Sequence, residues 1–144
     1  MTELDFLVRE EAGGRTTPLF HVELKAGPGA IDEMTEFQLD INDSNDIIGV
    51  ANNTNLPVYI FHIKLDHQYA PPTRATVTSG IWWTDIFTLL EKRLAVRSRR
   101  GEEKEAGYYD PAAFKPFDEF IGELEGRRYE ELRGRLLDHP LTLT

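Results

Sequence analysis

The chain contains 144 residues, of which 40% are hydrophobic and 28% are charged, a composition typical of one soluble globular domain. It contains no cysteine, which excludes disulfides, thiolate zinc sites and cysteine nucleophiles. No stretch approaches the roughly 18 consecutive apolar residues of a membrane span, and the first residues lack the basic start and apolar run of a secretory signal. We therefore expect a single domain, residues 1–144, that acts in the cytoplasm.

The formal net charge of -9 is unevenly distributed along the chain. Basic and acidic residues number 3 and 11 in residues 1–56, 7 and 3 in residues 57–100, and 6 and 11 in residues 101–144. Affinity for phosphate comes mainly from Lys and Arg, so only the middle third favours nucleic-acid binding. The acidic first third is what a metal site built from carboxylates would produce, although a solvated acidic face gives the same count.

Two strands open the chain. Leu4, Phe6 and Val8 occupy alternate positions, apolar residues alternate with polar ones in residues 20–25, and Gly13-Gly14 lies between the two stretches. This pattern predicts a hairpin with a connection over about residues 9–18. Residues 26–29 must end the second strand, and the helical spacing of apolar residues that follows predicts an amphipathic helix from about residue 30 to residue 45.

The later elements alternate between strand and helix patterns. A turn cluster at residues 52–55 precedes residues 58–63, whose β-branched and aromatic side chains predict a third strand. Residues 69–80 read as a loop or irregular edge strand, and spacing of three and four predicts a second helix over residues 83–94 that runs into basic residues 97–100. We therefore expect an α/β fold, a small mixed β-sheet flanked by helices over residues 1–98, followed by a charged loop and a helical appendage over residues 99–144.

The second predicted strand carries candidate catalytic residues. A period of two places Glu23 and Lys25 on one face of it. If the hairpin turns about Gly13-Gly14, paired positions sum to 27 or 28, which brings Asp5 opposite residue 22 or 23. Phosphodiester hydrolysis needs a divalent cation, and two carboxylates are hard oxygen ligands suited to Mg²⁺ or Mn²⁺. The Lys25 ammonium would orient the attacking water or stabilise the charge that develops on the phosphate.

Asp5 followed by Glu23-Leu24-Lys25 resembles the PD-(D/E)XK signature of restriction enzymes and RecB-like nucleases. The predicted order of elements over roughly residues 1–98 is similar to the restriction-endonuclease-like core. The resemblance implies a Mg²⁺-dependent endonuclease that hydrolyses DNA in restriction or repair, with Asp5, Glu23 and Lys25 as catalytic residues and the two carboxylates as metal ligands. The sequence departs from the motif at Leu4, where a proline usually stands.

The resemblance also implies supporting roles for three polar residues. Gln38 is similar to a glutamine that many of these nucleases place beside the site, where it assists metal or phosphate positioning. Asn42 and Asn45 share its predicted helical face and would contact a nucleic-acid backbone. A third metal ligand would come from Glu3, from Glu10 or from a partner subunit.

The DNA contacts are expected from the basic end of the predicted second helix. These residues are Lys92, Arg93, Arg97, Arg99 and Arg100. A solvated helix end gives the same pattern. Cutting both strands is easiest with two subunits related by a two-fold axis, which favours a homodimer. The apolar residues of the tail, Phe117, Phe120, Ile121 and Leu124, would serve such pairing or pack on their own core.

Two alternatives to a nuclease remain open. A catalytically silent nuclease-like domain that acts as a protein-interaction or assembly module is favoured by the net charge of -9. In a small α/β interaction protein, Glu23 and Lys25 would form an ordinary ion pair and Asp5 would be solvated. His21 shares the face of Glu23 and is a candidate base or ligand, although a lone histidine on a strand is more often structural.

Overall fold

The computed structural model describes residues 4–65, 80–98 and 104–142, which form two β-sheets flanked by helices. The larger sheet contains, in spatial order, β1 (Phe6–Ala12), β2 (Arg15–Gly27), β4 (Val58–Lys64), β5 (Ile81–Asp85) and β8 (Lys115–Pro116). The smaller sheet contains β3 (Phe37–Asp40), β7 (Glu105–Tyr109) and β6 (Arg93–Ser98). The helices are α1 (Ile41–Thr54), α2 (Ile86–Glu91), α3 (Phe120–Glu125) and α4 (Arg128–Asp138), with short 3-10 turns at Ile31–Glu33, Pro111–Ala113 and Phe117–Glu119.

The larger sheet is mixed, as predicted. Strands β2 and β4 run parallel, from His21 opposite Val58 to Gly27 opposite Lys64, whereas its other pairs are antiparallel. Parallel neighbours need a crossover connection, and α1 provides it. The predicted α/β class, with helices on a small mixed sheet, is therefore confirmed. None of the helices in the described ranges combines the length and apolar character needed to cross a membrane.

The first hairpin is confirmed, but its predicted connection over residues 9–18 is wrong. Gly13 and Gly14 both have positive φ, 57° and 74°, as a two-residue hairpin turn requires. The ladder continues to Ala12 opposite Arg15, with an irregularity between Val8 and Arg9. The part of the hairpin near the turn is exposed on both faces. Its sequence therefore lacks the alternation of apolar and polar residues from which a strand is predicted.

The predicted helix over residues 30–45 is correct only for residues 41–45. A 3-10 turn occupies Ile31–Glu33, and Phe37–Asp40 forms β3 with Phe37 and Leu39 buried. Helix α1 begins only at Ile41 and runs through most of the predicted turn cluster at residues 52–55. It ends after Thr54 because Asn55 adopts the left-handed conformation, with φ of 55°. Gln38 therefore lies on a strand and does not share a helical face with Asn42 and Asn45.

The predicted second helix is shorter than its sequence pattern. Trp83 lies on β5, and Asp85 caps α2 by accepting hydrogen bonds from the Thr88 amide at 2.8 Å and the Thr88 hydroxyl at 2.7 Å. The helix ends at Glu91, and Arg93–Ser98 forms the edge strand β6. The predicted basic helix end is therefore wrong, because Arg93 and Arg97 lie on a strand.

The C-terminal part of the chain is built into the core. Strand β7 lies between β3 and β6, so residues 105 and 106 belong to a sheet rather than to the predicted charged loop. The predicted helices of the tail are present, and they bury Phe120, Tyr129, Leu132 and Leu136. The ring centroid of Phe120 lies 5.3 Å from that of Tyr59 and 5.1 Å from that of Trp83. Each of these edge-to-face contacts stabilises the fold by about 0.5–1.5 kcal/mol beyond the effect of burying the rings.

Candidate functional site

The structure brings the carboxyl groups of Asp5 and Glu23 together at the start of the first hairpin. Phe6 pairs with Val22, so Asp5 lies across from Glu23, which is one of its two predicted partners. The two carboxyl groups are close enough to share a hydrogen bond when one of them carries a proton. The Asp5 carboxylate also accepts a hydrogen bond from the backbone N–H of Leu24 at 2.7 Å, which fixes its orientation against β2.

The two carboxyl groups have opposite pKa shifts. Burial, followed by the hydrogen bond to Asp5 and its negative charge, raises the pKa of Glu23 to about 7. The hydrogen bond from Glu23, the Leu24 amide and the nearby Lys25 charge lower the pKa of Asp5, while burial opposes them. Two carboxyl groups in contact share one proton near neutral pH because both cannot ionise without cost. A bound cation would remove that cost.

Lys25 lies two residues beyond Glu23 on the same face of β2, and it is already paired. Its Nζ donates to Asp43 Oδ2 at 2.9 Å, with 28% and 40% of the two side chains exposed. Asp43 lies in the first turn of α1, and its charge also contributes to the raised pKa of Glu23. Sequence reasoning missed this residue because it started the helix too early, although acidic residues just before and within a first turn are a helix-start signal.

Gln38 lies in the same cleft as Lys25, although on a strand rather than a helix. The cleft has a volume of about 500 Å³, and Lys25, Gln38 and Asp43 line it. Gln38 is exposed on β3 and pairs in register with Tyr108 of β7. The structure therefore places Gln38 on the wall of the cleft that Lys25 also lines.

The residues predicted to contact DNA are spread over three elements. Asn42 and Asn45 are exposed on α1, and Lys92 is exposed where α2 ends. Arg93 and Arg97 are exposed on β6. Arg97 stacks on the Tyr108 ring at 3.6 Å and pairs with Glu36 at 2.6 Å, and Glu36 also lines the cleft. The remaining two, Arg99 and Arg100, lie outside the described residues.

The histidine on the face of the site has a structural role. His21 is buried, and its Nε2 lies 3.0 Å from the Thr54 hydroxyl oxygen, whose own proton is donated to the Val50 carbonyl at 2.7 Å. His21 Nε2 must therefore donate a hydrogen bond. Burial also lowers the pKa of His21. A neutral ring whose Nε2 carries the proton cannot bind a metal or accept a proton through that atom.

The donor set fits a hard cation that retains water ligands. Across residues 4–65, 80–98 and 104–142, no group of three or more histidine, aspartate or glutamate side chains is arranged to hold a metal. Mg²⁺ commonly binds through one or two carboxylates and keeps several waters, which the Asp5 and Glu23 pair can provide. Glu10, a predicted alternative ligand, instead pairs with Arg127 at 2.9 Å, and Glu3 lies outside the described residues.

No protein-family model matches the chain, and no curated protein sequence matches it either. Among solved structures, the chain is similar to a nuclease from a fusselovirus, with a TM-score of 0.51 and 12% sequence identity. The similarity covers 90% of this chain and 69% of the viral protein. At that identity the comparison shows the fold alone: the two sheets and their helices form an α/β arrangement similar to that of the viral protein.

Proposed function

We propose that this chain is a nuclease of the PD-(D/E)XK type that hydrolyses DNA phosphodiester bonds with Mg²⁺ or Mn²⁺, as restriction and repair endonucleases do. One observation carries the proposal: the carboxyl groups of Asp5 and Glu23 meet across the hairpin, with Lys25 two residues further on the same strand face. A similar fold in a viral nuclease supports it.

Each residue of the site has a distinct proposed role. Asp5 and Glu23 hold the cation, which when bound neutralises phosphate charge and lowers the pKa of an attacking water. Lys25 orients that water or stabilises the charge that develops at phosphorus. Asp43 positions Lys25 through their ion pair. Gln38 donates from the cleft wall to a phosphate oxygen or to water.

A net charge of -9 repels the DNA backbone, so phosphate contacts must come from local groups of polar and basic residues. We assign phosphate contacts to exposed polar and basic residues of α1, the end of α2 and β6, namely Asn42, Asn45, Lys92, Arg93 and Arg97, and to Arg99 and Arg100, which follow β6 in the sequence. A homodimer would supply two sites for cutting two strands. Ile121 and Leu124 remain 56% and 37% exposed on α3, and we propose this apolar face for the pairing.

The test is cleavage of supercoiled plasmid and of labelled oligonucleotides with Mg²⁺, with Mn²⁺ and with EDTA. Wild type should cut only with a divalent cation, and Glu23→Gln and Lys25→Ala should each lower the rate by about 100-fold or more, as loss of a group that stabilises the transition state does. Glu11→Gln and Lys104→Ala change exposed residues of the same types and should cut normally. Absence of cutting by wild type on every substrate and metal would reject the proposal.

Calorimetry with Mn²⁺ tests the metal site separately from catalysis. Wild type and Lys25→Ala should bind Mn²⁺ alike, whereas Glu23→Gln should bind it more weakly because a carboxylate ligand becomes an amide. Equal binding by wild type and Glu23→Gln would remove Glu23 as a ligand.

A catalytically silent nuclease-like domain that binds a protein partner is the second candidate. It is favoured by the ion pair between Lys25 and Asp43, which engages the ammonium that catalysis needs, and by the net charge of -9. A silent domain would neither bind Mn²⁺ through Glu23 nor cut DNA, so the two measurements above separate the candidates.

A further inference from the structure

The first turn of α1 is the part of the fold that holds Lys25. Asp43 in this turn accepts a hydrogen bond from Lys25 Nζ at 2.9 Å. The residue before the helix, Asp40, has other partners, but its side chain forms no capping hydrogen bond with the amides of this turn. Such a cap commonly fixes the start of a helix. The position of Asp43 therefore depends on contacts between this turn and the rest of the fold.

Tyr109, the last residue of β7, contacts that turn from the smaller sheet. Its hydroxyl oxygen lies 3.3 Å from that of Ser44, the residue after Asp43, and either hydroxyl can donate. Tyr109 is 1% exposed and Ser44 is 4% exposed, and a buried hydroxyl that loses its partner is destabilising. Strand β7 is the central strand of its sheet. The hydrogen bond therefore ties the first turn of α1 to the middle of the smaller sheet.

Gly107 makes room for the Tyr109 ring. The two residues lie on the same face of β7, because the side chains of a strand alternate between its faces. A Cβ atom at residue 107 would lie 2.7 Å from the Tyr109 hydroxyl oxygen and 2.9 Å from a ring carbon, well inside the roughly 3.5–4.0 Å at which non-bonded carbon atoms pack. The ring thus lies over Gly107, and a side chain at residue 107 would displace its hydroxyl from Ser44.

From these contacts we propose that Tyr109 is a positioning residue for Lys25 and acts through Ser44 and Asp43. The inference rests on the proposed nuclease function, in which Lys25 acts on the attacking water or on the charge at phosphorus. The buried residues in the later turns of α1 anchor the helix in the core. Loss of the Tyr109 hydroxyl should therefore loosen the first turn without unfolding the helix.

Two hydroxyl substitutions separate positioning from stability. Tyr109→Phe or Ser44→Ala alone leaves one buried hydroxyl without its partner, which should lower the melting temperature. The double variant removes both hydroxyls, and replacing both partners by apolar groups can be nearly neutral for stability. Its melting temperature should lie close to that of wild type. Its kcat for an oligonucleotide with Mn²⁺ should still fall by about threefold to tenfold with unchanged KM, because Lys25 is less well fixed.

The route through Asp43 is tested by adding the two hydroxyl substitutions to Asp43→Asn. The Lys25 ammonium has already lost its partner in that variant, so kcat should fall no further. Independent losses that multiply would overturn the proposal. Tyr59→Phe is the matched control, because it removes another buried tyrosine hydroxyl, which donates to Glu123 at 2.8 Å on the other face of the larger sheet. It should lower the melting temperature and leave kcat unchanged.

NMR of Lys25 gives a measurement that does not depend on cleavage. In ¹³C-lysine protein, the two ε-methylene protons of a lysine held in one orientation differ in chemical shift, whereas free rotation brings the shifts together. The Lys25 signal, assigned by its absence from Lys25→Arg, should lose this difference in the double variant and in Asp43→Asn but keep it in Tyr59→Phe.

The two measurements separate failure of the positioning role from failure of the nuclease proposal. If wild type cuts DNA and the double variant keeps wild-type kcat or the Lys25 shift difference, the positioning role of Tyr109 is overturned and the nuclease stands. If wild type cuts no DNA, the nuclease proposal fails, and the Lys25 signal still decides whether Tyr109 holds this lysine.

Discussion

Lys25 Nζ and Asp43 Oδ2 lie 2.9 Å apart and join β2 to the first turn of α1. This ion pair holds the lysine proposed for catalysis in one orientation next to Glu23. Both side chains are partly exposed, so the pair contributes little to stability. Its main consequence is for the placement of the ammonium.

Asp43→Asn should therefore impair catalysis more than folding. Without the carboxylate, Lys25 becomes free to move, and we expect kcat to fall about tenfold to 100-fold with little change in KM, because misplacement of a catalytic group by about 1 Å can cost that much. Steady-state kinetics with an oligonucleotide substrate measures this. Asp43→Glu should recover part of the rate, and Asp46→Asn, an exposed residue on the same helix, should have none of these effects. Unchanged kcat in Asp43→Asn would remove its positioning role.

The raised pKa of Glu23 predicts a specific dependence of stability on pH. The pKa is about 7 in the folded state against 4.5 as the ordinary value, so folding binds a proton between those limits. Stability from this group is complete below about pH 4.5 and is lost as pH rises through 7. Glutamine does not titrate, so Glu23→Gln does not lose this stability. The melting temperature of the variant minus that of wild type should therefore increase from pH 4.5 to 7 and stay constant above pH 7.

Thermal unfolding of both proteins from pH 4.5 to 8.5, without divalent cations, measures that difference. Glu33→Gln, an exposed glutamate in a 3-10 turn, is the control and should keep a constant difference from wild type. A pH-independent difference for Glu23→Gln would contradict the shared proton between Asp5 and Glu23.

Arg97 on β6, with Arg99 and Arg100 just after this strand in the sequence, is predicted to carry phosphate contacts. Replacing Arg97, Arg99 and Arg100 by alanine should flatten the slope of log affinity against log salt by about two to three units, since each duplex contact contributes about -0.9. Binding should weaken for all sequences alike. Fluorescence anisotropy over a salt series measures the slope, with Arg128→Ala on α4, which pairs with Glu131, as control. An unchanged slope in the triple variant would show that these arginines are solvated.

The C-terminal helices should be essential for the stability of the fold. Phe120 is 7% exposed and its ring contacts those of Tyr59 and Trp83, so Phe120→Ala should lower the free energy of unfolding by about 3–5 kcal/mol. Its neighbour Ile121 is 56% exposed, and Ile121→Ala should change the free energy of unfolding by less than about 0.5 kcal/mol. Urea unfolding measures both. Similar values for the two variants would mean that α3 does not pack on the core.

The sequence by itself determined the first hairpin and limited the partner of Asp5 to residue 22 or 23. Two glycines supply the positive φ that a two-residue turn needs, and the turn pairs Ala12 with Arg15. That register alone would place Asp5 opposite Val22, and the irregularity between Val8 and Arg9 shifts it by one residue so that Asp5 lies opposite Glu23. The third strand was also predictable, because Val58–Lys64 is rich in β-branched and aromatic residues and lies buried inside the sheet.

The tertiary structure alone decided whether Phe37–Asp40 is helix or strand and where Lys25 finds its partner. Phe37 pairs with Tyr109, far along the chain, and that ladder overrides a spacing of apolar residues that also suits a helix. The strand in turn delays α1 until Ile41 and brings Asp43 to Lys25. Contacts between distant segments leave no local periodicity in the sequence, which is why the hairpin could be predicted and the cleft beside it could not.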